Sequence, residues 1–387
     1  MRVFLIVIDG LGVGELPDAA KFGDVGSNTF ENLHNSVGLD LPTFKKLGLY
    51  NIDGLKTPRA RDVVACYGRM AELSMAKDTT AGHWEIACAP IQTPFVTFPS
   101  GFDDELIKKI EEAFGTKTLA NCVASGTEII NKFGKEHLQT GYPICYTSAD
   151  SDFQIACHED IYSNEQLYKL CEIARKVCSG KYSVGRVIAR PFNGKVGQFV
   201  RTSGRRDFSL SPPKPTIIDK IKNGGHQTIG IGKIEDIFPK DSLTSSYHTT
   251  SNKQNCEMIK SLQVSGFESG LLFSNLVDSD MLYGHRNDTT GYKNCLTEID
   301  KFLADFVRDM KDDDVLAITA DHGNDPTTPS TDHSREYVPV LMYGKNIKPN
   351  VNLGTLPTFQ CLGYTILDLF NIEKNELSFK EKIINEN

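Results

Sequence analysis

Three of the nine histidines in this 387-residue chain fall within His285–His333, and each stands close to an aspartate. Asp321 and His322 are adjacent in Ala320-Asp321-His322-Gly323-Asn324-Asp325, and His333 follows in Thr331-Asp332-His333-Ser334-Arg335. Asp280 and His285 share the segment Asp278-Ser279-Asp280-Met281-Leu282-Tyr283-Gly284-His285. Imidazole and carboxylate together suit Zn²⁺, Mn²⁺ or Fe²⁺. Carboxylates that bridge two such ions make a clamp for in-line phosphoryl transfer. Any one of these histidines could be a surface residue or a satisfied core residue. The set, with its members placed directly after apolar runs, predicts a metal site. Asp9, which ends the apolar run Val3–Ile8, is a further contributor, although an aspartate there also serves as a cap or turn residue.

A hydroxyl nucleophile is available in Lys77-Asp78-Thr79-Thr80-Ala81-Gly82-His83-Trp84-Glu85. Thr79 stands at the start of a helix-compatible stretch, where backbone N–H groups favour a phosphate, and an activated threonine attacks phosphorus. A plain N-cap fits the same residues. The segment from Lys181 to Pro215 carries Lys181, Arg186, Arg190, Lys195, Arg201, Arg205, Arg206 and Lys214, opposed only by Asp207. In a chain of net charge −8 this surplus is either a solvated basic face or, beside a phosphoryl site, an anion-binding surface. Lys233, in Gly230-Ile231-Gly232-Lys233-Ile234, could add to the same pocket. The acidic balance argues against nucleic acid as a partner.

These residues need a scaffold that brings strand ends together. Val3–Ile8, Leu271–Val277 and Val315–Ala320 are continuous apolar runs, as expected of strands buried on both faces. Helical periodicity over Leu296–Met310 and over Thr216–Lys222 alternates with them, which predicts an α/β domain with a mostly parallel sheet flanked by helices. Ligands of such sheets gather at the carboxyl ends of the strands, where the acids and histidines lie. The middle of the chain starts afresh: helix Asp103–Phe114, strand Ile144–Thr147, helix Asn164–Cys178 and strand Ser183–Arg190, closing at Ser211-Pro212-Pro213-Lys214-Pro215. We read residues 95–213 as an inserted α/β cap domain and residues 1–94 and 214–387 as one discontinuous catalytic core. Val3–Ile8 is too short for a signal peptide or a membrane span, and no later apolar stretch approaches ~20 residues. Ten scattered cysteines without a Cys-x-x-Cys pair read as reduced thiols, so cytoplasm is expected. Gly10-Leu11-Gly12-Val13-Gly14 lacks the dinucleotide-binding spacing.

Taken together, Val7-Ile8-Asp9-Gly10-Leu11-Gly12-Val13-Gly14 with Asp18, the Lys77–Glu85 segment, Tyr146-Thr147-Ser148-Ala149-Asp150, Gly185-Arg186-Val187-Ile188-Ala189-Arg190-Pro191-Phe192, Asp280–His285 and Ala320–Pro339 resemble the phosphopentomutases of the alkaline phosphatase superfamily. The resemblance runs over nearly the whole chain, in order. It implies an alkaline-phosphatase-like core with an inserted cap and interconversion of α-D-ribose 1-phosphate and D-ribose 5-phosphate, with the deoxyribose pair likewise. It also implies two Mn²⁺ ions, a phosphothreonine enzyme, and glucose 1,6-bisphosphate or ribose 1,5-bisphosphate as phosphorylating activator. Thr79 matches the nucleophile. Asp9, Asp321 and His322 match the ligands of one ion, and Asp280, His285 and His333 those of the other. Ser148, Asp150, Arg186, Ile188 and Lys233 match positions around the sugar phosphate. Small sugar phosphates are the expected partners, with no nucleic acid and no membrane, and a monomer is expected. Among the departures from the family pattern, Asp152 stands where an apolar residue is common near the sugar pocket.

Overall fold

The computed structural model describes residues 1–91, 95–148, 151–213 and 215–384. Asp150 and Lys214, named above, lie outside the described residues. The chain divides into two compact units, Met1–Thr93 with Pro212–Asn387, and Pro94–Ser211.

In the first unit Arg2–Ile8 is buried along its whole length. With no polar face to present to water, such a strand is stable only inside a sheet covered on both sides. It pairs in parallel with Gly270–Leu276 on one side and Asp314–Thr319 on the other. The sheet runs Ser245–Tyr247, Gln227–Ile231, Gly270–Leu276, Arg2–Ile8, Asp314–Thr319, Val338–Tyr343, Cys66–Met70, Asn352–Leu356. Only the pairings of Val338–Tyr343 with its two neighbours are antiparallel. The parallel register brings Ile8 beside Leu276, and Val7 beside Thr319. Asp9, the Asp278–Asp280 turn and Asp321-His322 therefore all leave the sheet at one edge, at its centre.

Helices cover the sheet. Thr289–Arg308 turns Tyr292, Leu296, Ile299, Leu303 and Phe306 inward, a periodic stripe of the kind that buries a helix face. It starts seven residues before the expected Leu296 because Asp288 caps the helix by accepting from Gly291 N. Phe306 meets Phe4 edge to face at 5.0 Å between ring centroids. Among the described residues, no helix is long and apolar enough to cross a membrane.

The second unit is built on its own sheet, Leu119–Val123, Ile144–Thr147, Asp152–His158, Arg186–Asn193, Val200–Arg201, with Arg206–Ser209 also paired to Arg186–Asn193. Cys145, Phe153, Ile155, Cys157, Val187 and Ala189 face the helices Asp104–Phe114 and Asn164–Val177. Ile144, Tyr146, Ala156 and Phe192 face the helix Gly126–Thr140 through Ile129 and Ile130. The strand expected over Ser183–Arg190 begins only at Arg186. Gly180–Tyr182 forms a tight turn, and Ser183 N bonds back to Gly180 O, so these residues have no backbone groups free for a ladder.

Arg2 ties the central strand to its neighbour. Its Nε and Nη2 donate to the two carboxylate oxygens of Asp314 at 2.7 and 2.6 Å, and both side chains are almost fully buried. Removing one member of such a pair strands the other charge in the interior, at roughly 3–5 kcal/mol. Arg2→Met should therefore lower unfolding stability by about that much in urea titration; a loss under about 1 kcal/mol would mean that Asp314 finds another partner.

Candidate metal centre and nucleophile

Two groups of potential ligands sit at the sheet edge: Asp9, Asp321 and His322, and Asp280, His322 and His333. His322 belongs to both. Its Nε2 lies 3.3 Å from Asp9 Oδ1 and 3.5 Å from Asp321 Oδ2. Asp280 is flanked by His285 Nε2 at 3.1 Å and His333 Nε2 at 3.5 Å. The His322 and His333 rings stand 3.9 Å apart, and those of His285 and His333 stand 4.8 Å apart. All six residues that sequence reading nominated as ligands are thus gathered at one place.

The local backbone explains the convergence. After Leu276 the chain makes a wide π turn, Ser279–Tyr283, then a tight one, Gly284–Arg286. Wide turns of this kind re-aim side chains near functional sites. Ser279 Oγ donates to the Asp9 carbonyl at 2.7 Å, and Asn324 N donates to the Gly10 carbonyl at 2.9 Å. Those two bonds fasten the Asp280 turn and the Asp321–Asn324 loop to the residues at the end of the first strand.

Thr79 is the first residue of the helix Thr79–Ile86. Asp78, not the threonine, is its cap: the Asp78 carboxylate accepts from Thr80 N and Ala81 N. The Thr79 hydroxyl is therefore not spent on capping, and its Oγ1 lies 3.3 Å from His322 Nε2. Gly82 lets this helix come so close. A Cβ at that position would fall 2.1 Å from the Asp321 carbonyl oxygen. Glu85, fully buried, anchors the same helix by accepting from Leu73 N, Ser74 N and the hydroxyls of Ser74 and Thr358.

The donor set fits divalent cations. Asp9 Oδ1 and Asp321 Oδ2 are buried with no aligned hydrogen-bond donor, an arrangement that is costly unless a positive charge faces them. Burial works against a charge on His322, yet the Asp321 and Asp9 carboxylates hold its imidazolium well above the ordinary histidine range. Asp280 is likewise opposed by burial but held well below the usual carboxylate range by His285 and His333. The Asp280 carboxylate raises His285 as well, so the cluster favours positive charge at the place where a metal ion would bring it.

Several supporting residues carried no separate signal in the sequence. Asn275 Nδ2 donates to Asp9 Oδ2 at 2.9 Å, and Asn324 Nδ2 to Asp280 Oδ1 at 2.6 Å. The signal that could have found the first of them is an asparagine, Asn275, inside the otherwise largely apolar run Leu271–Val277. His83 Nδ1 lies 2.8 Å from the Thr79 carbonyl, with which it is hydrogen-bonded, and 3.2 Å from Asp321 Oδ2 without the alignment of a hydrogen bond. Glu336 accepts from Thr29 N, Thr29 Oγ1 and Ser334 Oγ at 2.9, 2.7 and 2.7 Å.

Lys233, expected in the sugar-phosphate pocket, lies with its Nζ 3.7 Å from Asp9 Oδ2. In the second unit Ser148 directly follows the strand Ile144–Thr147, while Arg186 and Ile188 lie at the start of the strand Arg186–Asn193, Arg186 level with Asp152 and Ile188 with Gln154. Asp152 is buried and organises this corner. It accepts from Ser148 Oγ at 2.6 Å, Ser148 N at 3.0 Å and Gln154 Nε2 at 3.0 Å.

The metalloenzyme superfamily model matches residues 1–374. A phosphopentomutase of Clostridium kluyveri is 51% identical over 386 residues, spanning 99% of this chain and 99% of that protein. The chain belongs to the phosphopentomutase family. Phosphopentomutases of Caldanaerobacter subterraneus subsp. tengcongensis and Dictyoglomus turgidum are each 52% identical, over 96% and 97% of this chain and 94% and 95% of their own length. Family membership over nearly the full length covers both units, and the superfamily accords with the carboxylate–imidazole cluster.

Two outcomes test the centre. Asp9→Asn and Asp321→Asn should each lower the divalent metal retained after dialysis against Mn²⁺, read by elemental analysis; wild-type metal content in both would remove these residues from the ligand set. Burial, with Asp325 nearby, pushes the Glu336 carboxyl up from 4.5 to about 7. A raised carboxyl favours the protonated folded form, so this contribution to stability is present below about pH 4.5 and is lost as pH rises through about 7. Thermal unfolding of Glu336→Gln should therefore depend less on pH between about 5 and about 8 than that of the parent chain; equal slopes would contradict the assignment.

Proposed function

We propose that the chain interconverts α-D-ribose 1-phosphate and D-ribose 5-phosphate, and the 2-deoxyribose pair, by moving a phosphoryl group through Thr79. The observation that carries this reading is the placement of an uncapped threonine hydroxyl, at a helix start, 3.3 Å from the imidazole shared by two ligand groups. Membership in the phosphopentomutase family supports the substrate class.

Asp9, Asp321 and His322 would hold one ion, and Asp280, His285 and His333 a second; Mn²⁺ is the proposed metal. When bound, the ions supply positive charge to phosphoryl oxygens. The chain's own residues do the rest. The first N–H groups of the Thr79–Ile86 helix and its dipole favour a phosphate on Thr79. His83 fixes the Thr79 backbone, and Gly82 sets the approach to Asp321. Lys233 adds a cation beside Asp9.

In the proposed cycle, phosphorylated Thr79 gives its phosphoryl group to the free hydroxyl of the bound sugar phosphate. The P–O bond to Thr79 breaks, a P–O bond to the sugar forms, and the sugar hydroxyl's proton replaces phosphorus on the threonine oxygen. Ribose 1,5-bisphosphate then reorients and returns its other phosphoryl group to Thr79. Ser148, Asp150, Arg186 and Ile188 of the cap are the proposed sugar-phosphate contacts. Glucose 1,6-bisphosphate or ribose 1,5-bisphosphate would prime Thr79 by the same transfer. We place the activity in nucleoside and deoxyribonucleotide catabolism and salvage, in the cytoplasm, with the chain acting as a monomer on small-molecule substrates.

Thr79→Ala should abolish ribose 5-phosphate turnover, with a loss of at least about 10³-fold in kcat, and should abolish label transfer from a ³²P-bisphosphate to protein. Retained turnover would overturn the nucleophile assignment. In parallel, ribose 5-phosphate, 3-phosphoglycerate and p-nitrophenyl phosphate assayed with Mn²⁺ should show preference for the pentose; preference for either of the others would overturn the substrate class.

A further inference from the structure

Between the strand Cys66–Met70 and the helix Thr79–Ile86 the chain forms neither ladder nor helix, yet this segment delivers the Thr79 hydroxyl to the ligand cluster. Backbone groups in such a segment need side-chain partners. Glu85 takes the amides of Leu73 and Ser74. The carbonyls are taken by one residue, Arg335. Its Nη2 donates to the Glu72 carbonyl at 3.1 Å. Its Nη1 shares two hydrogens among the Ser74 carbonyl, the Ala76 carbonyl and Glu72 Oε2, each at 2.7 Å. Every second carbonyl from 72 to 76 is thus wrapped on one guanidinium. Nε and Nη2 also donate to the two oxygens of Asp18, both at 3.2 Å. Phe22 covers the guanidinium, with its ring centroid 4.9 Å away. All five N–H groups are engaged, and Arg335 is buried.

The backbone of Arg335 belongs to the ligand loops. It stands two residues after His333. Its N donates to Asp24 Oδ2 at 2.9 Å, and its carbonyl accepts from Leu16 N at 3.0 Å. The preceding residue, Ser334, exchanges backbone bonds of 2.7 and 3.2 Å with Gly323, which directly follows His322. Lys77 makes a second tie between the same segments. Its Nζ lies 3.1 Å from Asp24 Oδ2 and 3.1 Å from Asp332 Oδ2, and Asp332 Oδ1 accepts from His333 N at 2.8 Å. Arg335 is the stronger restraint of the two. Its planar fork fixes direction as well as distance and is shielded from water, whereas the Asp332 carboxylate is exposed.

We propose that Arg335 is a positioning residue for phosphoryl transfer: it holds residues 72–78 against the loops that carry His322 and His333, and so sets where the Thr79 hydroxyl meets the ligand cluster. This deepens the proposed function and rests on Thr79 being the nucleophile. None of the side-chain hydrogen bonds of Arg335 goes to Thr79 or to the six candidate ligands. Losing a ligand would empty an ion site. Losing the guanidinium should leave the ligands in place and let the hydroxyl shift, and a misplacement on the order of 1 Å costs about 10²-fold in rate. Lysine cannot replace it, because a single ammonium cannot span three carbonyls and two carboxylates.

The test uses the full chain dialysed against Mn²⁺ and compares Arg335→Lys and Glu72→Gln with Arg308→Met, the loss of an exposed arginine. Arg335→Lys should lower kcat for ribose 5-phosphate about 100-fold while KM stays within about threefold. Its Mn²⁺ content by elemental analysis should equal that of the parent. Glu72→Gln keeps the carbonyl contacts and loses one charge, so kcat should fall about tenfold with the same split. Arg308→Met should stay within about twofold. A folded Arg335→Lys with kcat within about twofold of the parent would overturn the proposal. So would a loss of Mn²⁺ in proportion to kcat, which would make Arg335 a support of the ligands alone. Should Arg335→Lys not fold, Glu72→Gln decides by the same two criteria. Hydrogen–deuterium exchange separates this from failure of the pentose reading. Amides of residues 71–80 should exchange about tenfold faster in Arg335→Lys, with the strands Arg2–Ile8 and Asp314–Thr319 unchanged. If the parent chain does not turn over pentose phosphates, that reading fails and the restraint on Thr79 stands on the exchange result. Unchanged exchange over residues 71–80 overturns it in either case.

Discussion

Three carboxylates, Asp9, Asp280 and Asp321, are buried at one edge of the central sheet, and the surrounding core is organised by the need to neutralise them. At an effective dielectric of about 20, two like charges about 4 Å apart repel by roughly 4 kcal/mol. Left alone, such a cluster would take up protons or force the strand ends apart. Four imidazoles, those of His83, His285, His322 and His333, with Lys233 Nζ and the amides of Asn275 and Asn324, face these carboxylates instead. Two carboxylate oxygens still lack an aligned donor. The same unsatisfied charge that makes the fold costly makes it a receptor for cations, and cations next to a threonine hydroxyl make phosphoryl transfer accessible.

The position of Thr79, the proposed nucleophile, follows from two local devices. Asp78 takes the capping role, so the Thr79 hydroxyl stays available. Gly82 removes the side chain that would otherwise collide with the Asp321 backbone. The helix is then held near its far end by Glu85 and by Trp84 Nε1, which donates to the Ile237 carbonyl at 3.0 Å. A hydroxyl on a helix held in this way has little freedom to lose on reaction, which is how positioning lowers a barrier.

The second unit divides its labour between the two faces of one sheet. One face is apolar throughout and packs on two helices. The other is apolar only where Gly126–Thr140 covers it, and beyond that it carries Ser148, Asp152, Gln154, Arg186 and Arg190. Period-two alternation allows a strand to build a core with one set of side chains and a binding surface with the other. Asp152 belongs to this polar face. It takes the proton of Ser148 Oγ, so that hydroxyl can only accept from a further ligand.

Much of this was legible in the residues. The apolar runs ending in acids marked the central strands and the edge where ligands collect, because a strand buried on both faces leaves little room for ambiguity of period or position. The six metal-ligand candidates could be nominated from residue type and placement, and the substrate class from the order and specificity of the motifs. The strand boundary at Arg186 was missed because Ser183 and Val184 have strand-like composition while their backbone bonds close a turn. Tertiary structure alone decided that His322 faces both ligand groups, that Lys233 turns to Asp9, that Asn275 and Asn324 hold the carboxylates, and that His83 holds the Thr79 backbone. Several of those contacts join residues more than two hundred positions apart, as Asn275 with Asp9 and Lys233 with Asp9. Their cause is the register of parallel strands and the packing of helices, and no local pattern of residue types encodes which side chains that register will bring face to face.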